Sequence, residues 1–332
     1  MPEQLWSILP VFLLILAAEF VNGWTDAPNS IATVIATRVL PPYQALVMAT
    51  VLNILGAMSG TAVAATIGKG IIDPSIINIT TVAAAMVGII FWSTLAYYMG
   101  GLPTSESHAL VAGLAGAGLA TAGPSVLLWE GWSKVFIGLF FSTFLGFLGG
   151  LGIILILYRI FYRSRPGTMR LLFGRLQILS AAFMAFSHGS NDGQKFIGVF
   201  TLALVLGGIL PEFQVPLWVI LLCATTMGIG TVLGGWKIIQ TMGIRLTKLE
   251  PIHGFAAETS AALVIETASR FGIPLSTTHT ISTSIMGVGS VQRFSAVRWG
   301  LAGEIIMAWI LTFPVCGLIA YIVAYVVSYV SF

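Results

Sequence analysis

The chain has 332 residues and a formal net charge of +3; 8% of its residues are charged and 57% are hydrophobic. A soluble globular protein carries about 25% charged residues, so this composition excludes an ordinary soluble domain and indicates a polytopic membrane protein. The net charge itself points to no class of partner.

Several stretches are apolar and long enough for a membrane-crossing helix, which needs about 20 residues. In chain order they are 5–21, 45–67, 82–99, 135–158, 215–233 and 305–327. Shorter apolar segments lie beside polar motifs and predict half-helices or re-entrant arms, because non-helical backbone at membrane depth must line protein or water; they are 27–37, 109–120, 177–186, 196–210, 254–269 and 280–291. We expect roughly ten crossings and two re-entrant hairpins.

Two polar motifs occur in both halves of this apolar chain. The first is GWTDAPNS at 23–30 and GSNDGQK at 189–195, and the second is GLPTSESH at 101–108 and GIPLSTTH at 272–279. Duplicated polar motifs in a membrane protein indicate a transporter site shared between repeats. We therefore expect a first transmembrane repeat at 1–160, an Arg-rich linker at 161–176 and a second repeat at 177–332.

The basic residues predict the orientation of the two repeats. Five arginines cluster around the linker, whereas 1–4 and 328–332 contain no Lys or Arg. The positive-inside rule then places the linker in the cytoplasm and both termini outside. Each half must cross the membrane an odd number of times, so the second repeat is inverted. Membrane topology and lipid headgroups explain these arginines, so nucleic acid is not an expected partner.

The second motif of each half predicts an anion site. Gly and Pro can turn the chain there, and the following Ser or Thr residues would lie at a new helix N-terminus, where unpaired amide donors favour anions. Hydroxyl groups around two such termini suit a tetrahedral oxyanion such as phosphate or sulfate. The predicted ligands are Thr104, Ser105, Ser107, Ser276, Thr277 and Thr278, with Gln194 as a further donor. The alternative is that the hydroxyls serve only as helix caps.

The first motif of each half predicts a cation site. Asp26 and Asp192 are carboxylates in apolar sequence, where a charge is costly unless it is paired or ligating. Carboxylate and amide oxygens suit hard cations, so we expect sodium at Asn22, Asp26, Asn29, Asn191 and Asp192. A proton carrier, or a carboxylate that bridges helices through Lys195 or a histidine, remains open.

Six further residues are candidates for coupling or orientation. Lys195 could pair with Asp192 or with the substrate, and Glu258 could gate, carry a coupled charge or join two helices. A negative Glu106 would repel an anion unless it faces a cation or is protonated. The histidines are expected to orient groups by hydrogen bonds rather than to bind a metal; the full set is Glu106, His108, His188, Lys195, Glu258 and His279.

These motifs resemble the inorganic phosphate transporter (PiT) family. NGWTDAPNSIATV at 22–34, continued by Arg38-Val39-Leu40, is similar to its first signature, FSHGSNDGQK at 186–195 to its second, and STTH at 276–279 to its hairpin motif. The resemblance covers both repeats and implies phosphate uptake coupled to sodium or protons. Glu106 departs from the family's usual Thr, and the long cytoplasmic loop of the animal members is missing.

The predicted protein is an all-α polytopic membrane protein with two inverted-topology repeats, broken helices and two re-entrant helical hairpins. It is expected to be a secondary active transporter in the cell membrane that imports inorganic phosphate with sodium, by alternating access at a midplane site. A proton-coupled or metal-phosphate carrier and a sulfate permease are the alternatives; an intramembrane Ser–His hydrolase is the alternative of another class. No cofactor is expected, and the partners are phosphate, sodium and lipid, with a homodimer left open.

Overall fold

The computed structural model describes the backbone of residues 2–330 and the side chains of residues 8–329. Within that range the fold is all-α, and β pairing is limited to an isolated bridge between Ile72 and Leu127. The chain-terminal residues Met1, Ser331 and Phe332, which belong to the termini expected outside the cell, lie outside the described range.

The helices of the first half are α1 (Pro2–Thr25), α2 (Ala32–Ala36), α3 (Pro42–Ala57), α4 (Ala62–Gly70), α5 (Ile79–Tyr98), α6 (Glu106–Ala122) and α7 (Trp129–Ile160). Those of the second half are α8 (Pro166–His188), α9 (Gln194–Leu206), α10 (Leu217–Val232), α11 (Trp236–Ile239), α12 (Pro251–Arg270), α13 (Thr277–Ser290) and α14 (Trp299–Val330). The element order of the first half thus recurs in the second.

Five stretches among the described residues are long and apolar enough to cross a membrane: 8–30, 79–98, 129–160, 166–206 and 299–329. The pairs α3–α4 and α10–α11 each bend by 67° and raise the number to seven if each pair is one span. This count covers only helices that are long and apolar enough on their own, so the expectation of roughly ten crossings with two re-entrant hairpins stays a prediction. The apolar run at 45–67 does not form a single straight helix, because the chain breaks between α3 and α4. The run at 215–233 is one helix, α10, and the bend follows it at Gly234–Gly235, whose positive φ angles suit glycine.

The first motif takes different forms in the two halves. After α1, residues Ala27–Ser30 form a 3₁₀ turn with Pro28 near its start, so the helix is interrupted as expected. In the second half Gly189–Gly193 forms a π-helical segment that joins α8 to α9 without a break. The prediction of a broken helix there is wrong, because this segment has no proline and a π-bulge keeps the helix going.

The two halves pack into each other rather than side by side. The last helix of each half contacts the hairpin of the other, α14 against α6 and α7 against α13. Likewise α1 packs on α10, and α3 packs on α8. One hydrophobic core combines Ile15 and Leu110 of the first half with Phe196 and Cys316 of the second. This reciprocal packing brings the matching motifs together at the centre.

Two glycines of the first motif allow close approaches between helices of the two halves. A methyl group at Gly23 would overlap the carbonyl oxygen of Met227 in α10, and one at Gly189 would overlap that of Asn53 in α3. Gly23 and Gly189 stand three residues before Asp26 and Asp192, so the close packing holds both aspartates against helices of the other half.

Candidate transport site

The second motif of each half forms the tip of a helical hairpin, as predicted. Gly101 and Gly272 have φ angles of +68° and +65°, which turn the chain at the end of α5 and α12. Ser105 and Ser276 then cap α6 and α13: each hydroxyl oxygen accepts a bond from the backbone N–H three residues later, at 3.3 and 3.1 Å. A capping hydroxyl still has its own proton to donate, so capping and anion binding are compatible.

The two hairpin tips touch each other. Ser107 Oγ donates a hydrogen bond of 2.7 Å to the backbone carbonyl of Leu275. Lys195 Nζ donates to the same carbonyl at 3.0 Å and also contacts Ser107 Oγ. Behind the tips, the rings of His108 and His279 meet edge to face with centroids 4.6 Å apart. The matching motifs therefore form one polar centre.

Asp192 lies between two basic groups in this centre. Its Oδ1 atom pairs with Lys195 Nζ, one helical turn away. Its Oδ2 atom lies 3.2 Å from His188 Nε2, although that contact lacks the alignment of a hydrogen bond. His188 is oriented through Nδ1, which is 3.0 Å from Asn53 Oδ1. All four side chains are buried, so the charges on Asp192 and Lys195 stabilise each other in a dry setting.

The hydroxyls of the second tip hold both motif aspartates. Thr277 Oγ1 is 2.7 Å from Asp192 Oδ2 and 3.3 Å from Asp26 Oδ2, so this hydroxyl lies between the two carboxylates. Thr278 Oγ1 donates to Asp26 Oδ1. Asn29 Nδ2 donates to the same carboxylate oxygen at 2.5 Å and to Thr278 at 3.0 Å. The cation motif and the anion motif are thus in direct contact.

This centre contains side-chain atoms of the kinds that bind cations. Atoms of Asp26, His188 and Asp192 that could bind a metal ion lie within 4.8 Å of one another. The side-chain carbonyl oxygens of Asn22, Asn29 and Asn191 are buried and accept no hydrogen bond from the protein. Buried oxygens without a donor are costly, and a bound hard cation would satisfy them.

Two other predicted phosphate ligands, Thr104 and Gln194, lie in different surroundings: Thr104 is in the first tip, and Gln194 connects two helical segments. Thr104 is buried in the first tip beside Pro103, whose carbonyl accepts a bond from Trp309 Nε1 at 2.9 Å. Gln194 is occupied at both ends of its amide: Oε1 accepts from the Val63 backbone N–H at 3.0 Å and Nε2 donates to the Ser190 carbonyl at 2.7 Å. Gln194 therefore ties the first turn of α4 to the π segment.

Glu106 faces away from the second tip. Its carboxylate accepts hydrogen bonds from Thr25 Oγ1 at 3.0 Å and Ser93 Oγ at 2.9 Å, which belong to α1 and α5. These donors explain how a carboxylate can be buried beside the predicted anion ligands. The corresponding residue of the second tip, Thr277, bonds the aspartates instead, so the two tips have different roles.

Glu258 lies in a separate buried cluster. It accepts from Gln177 Nε2 at 3.2 Å and also contacts Thr33 and Ser180 hydroxyls. Gln177 in turn accepts from Thr37 at 2.8 Å. Glu258 thus joins α12 to α2 and α8, as the helix-bridging alternative describes.

Sequence reasoning missed several polar residues around the centre. Glu19 is fully buried one helical turn before Asn22 and accepts a 3.0 Å bond from its amide. Its second carboxylate oxygen accepts no bond from the protein. The helical spacing of Glu19, Asn22 and Asp26 is a signal that could have revealed Glu19. Ser93 and Asn53 show no such signal, because they come from helices without a motif.

Comparison with known proteins identifies the family. The model of the Phosphate transporter family matches residues 22–320. This chain belongs to the Phosphate transporter family. A protein of Rhizobium meliloti is 44% identical over 91% of both chains, and one of Bacillus subtilis is 39% identical over 95% of this chain and 97% of its own. Both carry the name "Probable low-affinity inorganic phosphate transporter".

A solved structure confirms the fold of this phosphate transporter family member. "The sodium-dependent phosphate transporter" superposes with a TM-score of 0.87 over 97% of this chain and 99% of its own, at 23% identity. The resemblance inferred from the motifs is confirmed, as is the all-α, multi-pass membrane architecture. Phosphate is the substrate of the family, whose members and relatives are transporters.

Proposed function

We propose that this protein imports inorganic phosphate together with sodium ions, by alternating access at the junction of the two hairpin tips. The observation that carries this proposal is the position of Thr277, whose hydroxyl lies between Asp26 and Asp192 at the start of α13. A hydroxyl of the proposed anion site is here hydrogen-bonded to the two carboxylates of the proposed cation site. Binding of the two ions at one place would make each favour the other, which symport requires.

For phosphate, the proposed ligands are the hydroxyl and amide groups of the two tips. They are Thr104, Ser105, Ser107, Ser276, Thr277 and Thr278, with Gln194 as an outer donor. Phosphate near neutral pH both donates and accepts hydrogen bonds, whereas sulfate only accepts. The carboxylates of Asp26 and Asp192 beside the tip donors therefore favour phosphate over sulfate.

For sodium, the proposed ligands are Asn22, Asp26, Asn29, Asn191 and Asp192. The three asparagine oxygens without a donor support this assignment. The name of the structurally similar transporter, which states sodium dependence, supports it too. Oxygen ligands around a dehydrated alkali cation are the usual chemistry for such a site.

Lys195 supplies a means of coupling. In the present arrangement it pairs with Asp192 and also contacts Ser107 and Leu275 of the two tips. An arriving phosphate would draw Lys195 toward itself, and Asp192 would then be left with an unpaired buried charge. Sodium binding would neutralise that charge, so phosphate and sodium would bind best together. We assign orienting roles to His108, His188 and His279, and accessory charge roles to Glu106 and Glu258.

For topology, we propose that 1–160 and 177–332 are inverted repeats, with the linker 161–176 in the cytoplasm and both termini outside the cell membrane. The arginine distribution and the recurring element order support this arrangement. The proposed phosphate site would then lie near the membrane midplane between the halves.

Uptake of labelled phosphate into proteoliposomes tests the coupling. We expect accumulation when an inward sodium gradient is imposed at equal pH, and none when potassium replaces sodium. Accumulation driven only by an inward proton gradient would replace sodium symport with proton coupling. Uptake that sulfate in excess inhibits as strongly as unlabelled phosphate does would instead indicate a sulfate permease.

A hydrolase is the alternative of another class, because each tip contains a serine and a histidine. In both tips, however, the serine hydroxyl caps its own helix and the following histidine contributes its backbone N–H. A nucleophile needs a base at its hydroxyl. Release of product from ester or peptide substrates by the purified protein would contradict the transport proposal.

A further inference from the structure

A polar cavity of about 460 Å³ adjoins the transport site on one side. Its lining includes Ser59 and Gly60 at the break between α3 and α4, Ser190 in the π segment, and Glu266, Ser269 and Arg270 at the end of α12. We call it the vestibule. Nothing in the proposed function uses Arg270 or Glu266.

The floor of the vestibule touches the proposed ion ligands. Ser190 Oγ donates to Glu266 Oε2 at 2.8 Å and lies 3.3 Å from Ser269 Oγ. Asn191 Nδ2 donates to the same Ser269 hydroxyl at 2.9 Å, and its buried oxygen accepts no bond from the protein. A single layer of serine side chains therefore separates the cavity from Asn191 and its neighbour Asp192.

At the mouth of the vestibule lies the guanidinium group of Arg270, which is held by only a weak ion pair. Arg270 Nε is 3.0 Å from Glu266 Oε1, but the Arg270 side chain is 78% exposed. An exposed pair of this kind contributes little to stability, so an anion can compete for the guanidinium at small cost. The planar guanidinium also matches two phosphate oxygens at once.

The vestibule lies at the end of α12 that is far from the linker. Helix α12 begins at Pro251, which shares a cavity with Pro166 and Arg170 of the linker side. Its twenty residues rise about 30 Å. Arg270 therefore lies about 30 Å from the linker-side start of α12, beside the second hairpin tip and on the side turned away from the linker.

The equivalent place in the other half carries aromatic side chains instead of serines. Gly23 matches Gly189 and Gly101 matches Gly272, so Trp24 corresponds to Ser190 and Tyr98 to Ser269. The Trp24 ring packs on Tyr97 with centroids 4.4 Å apart and on Tyr98 at 6.3 Å. Lys237 Nζ covers the two tyrosines at 5.3 and 5.1 Å from their centroids. Aromatic rings thus fill the position that small serines leave open in the vestibule.

We propose that the vestibule is the access site for inorganic phosphate on the face opposite the linker, and that Arg270 captures the anion there before it reaches the hairpin tips. The cluster of Trp24, Tyr97, Tyr98 and Lys237 is the closed counterpart on the linker-facing side. This inference rests on the proposed phosphate transport but not on the nature of the coupling ion.

The test compares phosphate uptake by reconstituted wild type, Arg270→Gln, Arg270→Lys and the exposed control Arg293→Gln. Arg270→Gln should raise the phosphate KM about three- to tenfold and change kcat by less than about twofold, because a mouth charge acts on encounter. Choline chloride at fixed sodium should shrink the difference, since salt screens exposed charges. Arg270→Lys should recover most of the loss, and Arg293→Gln should match wild type.

A labelling experiment gives a second readout. In a background with Cys223→Ala and Cys316→Ala, Ser59→Cys should react with a membrane-impermeant thiosulfonate added from the face opposite the linker. Inorganic phosphate should slow that reaction. An unchanged phosphate KM in Arg270→Gln, or labelling that phosphate does not slow, would overturn the proposed access role of the vestibule. Phosphate transport itself would still stand in that case, provided that the wild type takes up phosphate. Absence of phosphate uptake by wild type would instead overturn the proposed function.

Discussion

Ser107 Oγ and the carbonyl oxygen of Leu275 are joined by a hydrogen bond of 2.7 Å, although 168 positions separate them in sequence. This bond links the tips of the two hairpins at the point where Lys195 also reaches Leu275. A transport cycle that admits an anion between the tips must break or stretch it. In the proposed transport cycle, this bond is the contact that the substrate would have to open.

Ser107→Ala should leave the fold intact and reduce transport. Loss of one buried hydrogen bond costs about 1 kcal/mol of unfolding free energy, and more if the Leu275 carbonyl is left without Lys195. We expect phosphate uptake to fall at least about tenfold, because both a tip link and a phosphate ligand are lost. Uptake and thermal unfolding in detergent measure the two effects. Ser133→Ala, at an exposed serine of α7, is the control; equal uptake in both variants would contradict the assignment.

Asp192→Asn should impair both stability and uptake, because it leaves Lys195 as an unpaired buried charge. Breaking a buried ion pair from one side costs about 3–5 kcal/mol. The double change Asp192→Asn with Lys195→Met removes the charge as well and should recover most of that stability. Uptake should stay absent in both. Thermal unfolding together with sodium-driven uptake separates the effects, and recovered uptake in the double variant would exclude Asp192 and Lys195 from coupling.

Glu106→Gln should separate charge from hydrogen bonding at the first tip. Its two hydroxyl partners, Thr25 and Ser93, can rotate to donate or accept, so glutamine should keep both contacts. The expected stability loss is below about 1 kcal/mol, against roughly 1–3 kcal/mol for Glu106→Ala, which removes the partner of the Ser93 hydroxyl while Thr25 keeps its 2.8 Å bond to the Val21 carbonyl. If the charge contributes to coupling, the sodium concentration for half-maximal uptake shifts while the phosphate KM does not. A shift in phosphate KM alone would make Glu106 a substrate-site residue.

Gly23→Ala and Gly189→Ala should each destabilise the protein. The added methyl group overlaps a carbonyl oxygen of the facing helix, at Met227 or Asn53, and backbone cannot move aside as a flexible side chain can. Overpacking of this kind typically costs about 1–3 kcal/mol. Gly152→Ala in α7 is a matched control, because its methyl group would meet open space. Equal melting temperatures for all three variants would contradict the close helix approach.

The hairpin tips could be predicted from sequence because their structure is local. Gly101, Gly272 and the two capping serines act on residues within one turn of themselves. The Asp26 and Asp192 motifs were visible because charge is rare in apolar sequence. The partners of these aspartates could not be predicted, because neither motif alone shows that Thr277 of the second tip contacts Asp26 after α1.

Other features could not be predicted because they depend on packing between the halves. Gln194 has the chemistry of an anion donor, but the sequence does not show that the first turn of α4 also comes close enough to use its carbonyl oxygen for Val63. The 189–193 segment contains two glycines and suggests a broken helix, but packing on α3 keeps it helical with a π-bulge. Glu106 finds donors only where α1 and α5 converge. In each case a residue far along the chain decides the outcome.

The packing of α14 against α6 has a consequence for synthesis of the protein. Gly116 of α6 approaches the Gly317 backbone so closely that a methyl group would overlap its carbonyl oxygen. The ribosome makes α14 long after α6, so the first hairpin cannot take its final position until α14 has also been inserted in the membrane. Until then, its polar tip must be shielded from lipid by the translocation machinery or by neighbouring helices. A protein truncated before α14 should therefore lack the helix that packs against α6. We expect its first hairpin to remain unassembled and the protein to be degraded by membrane proteases.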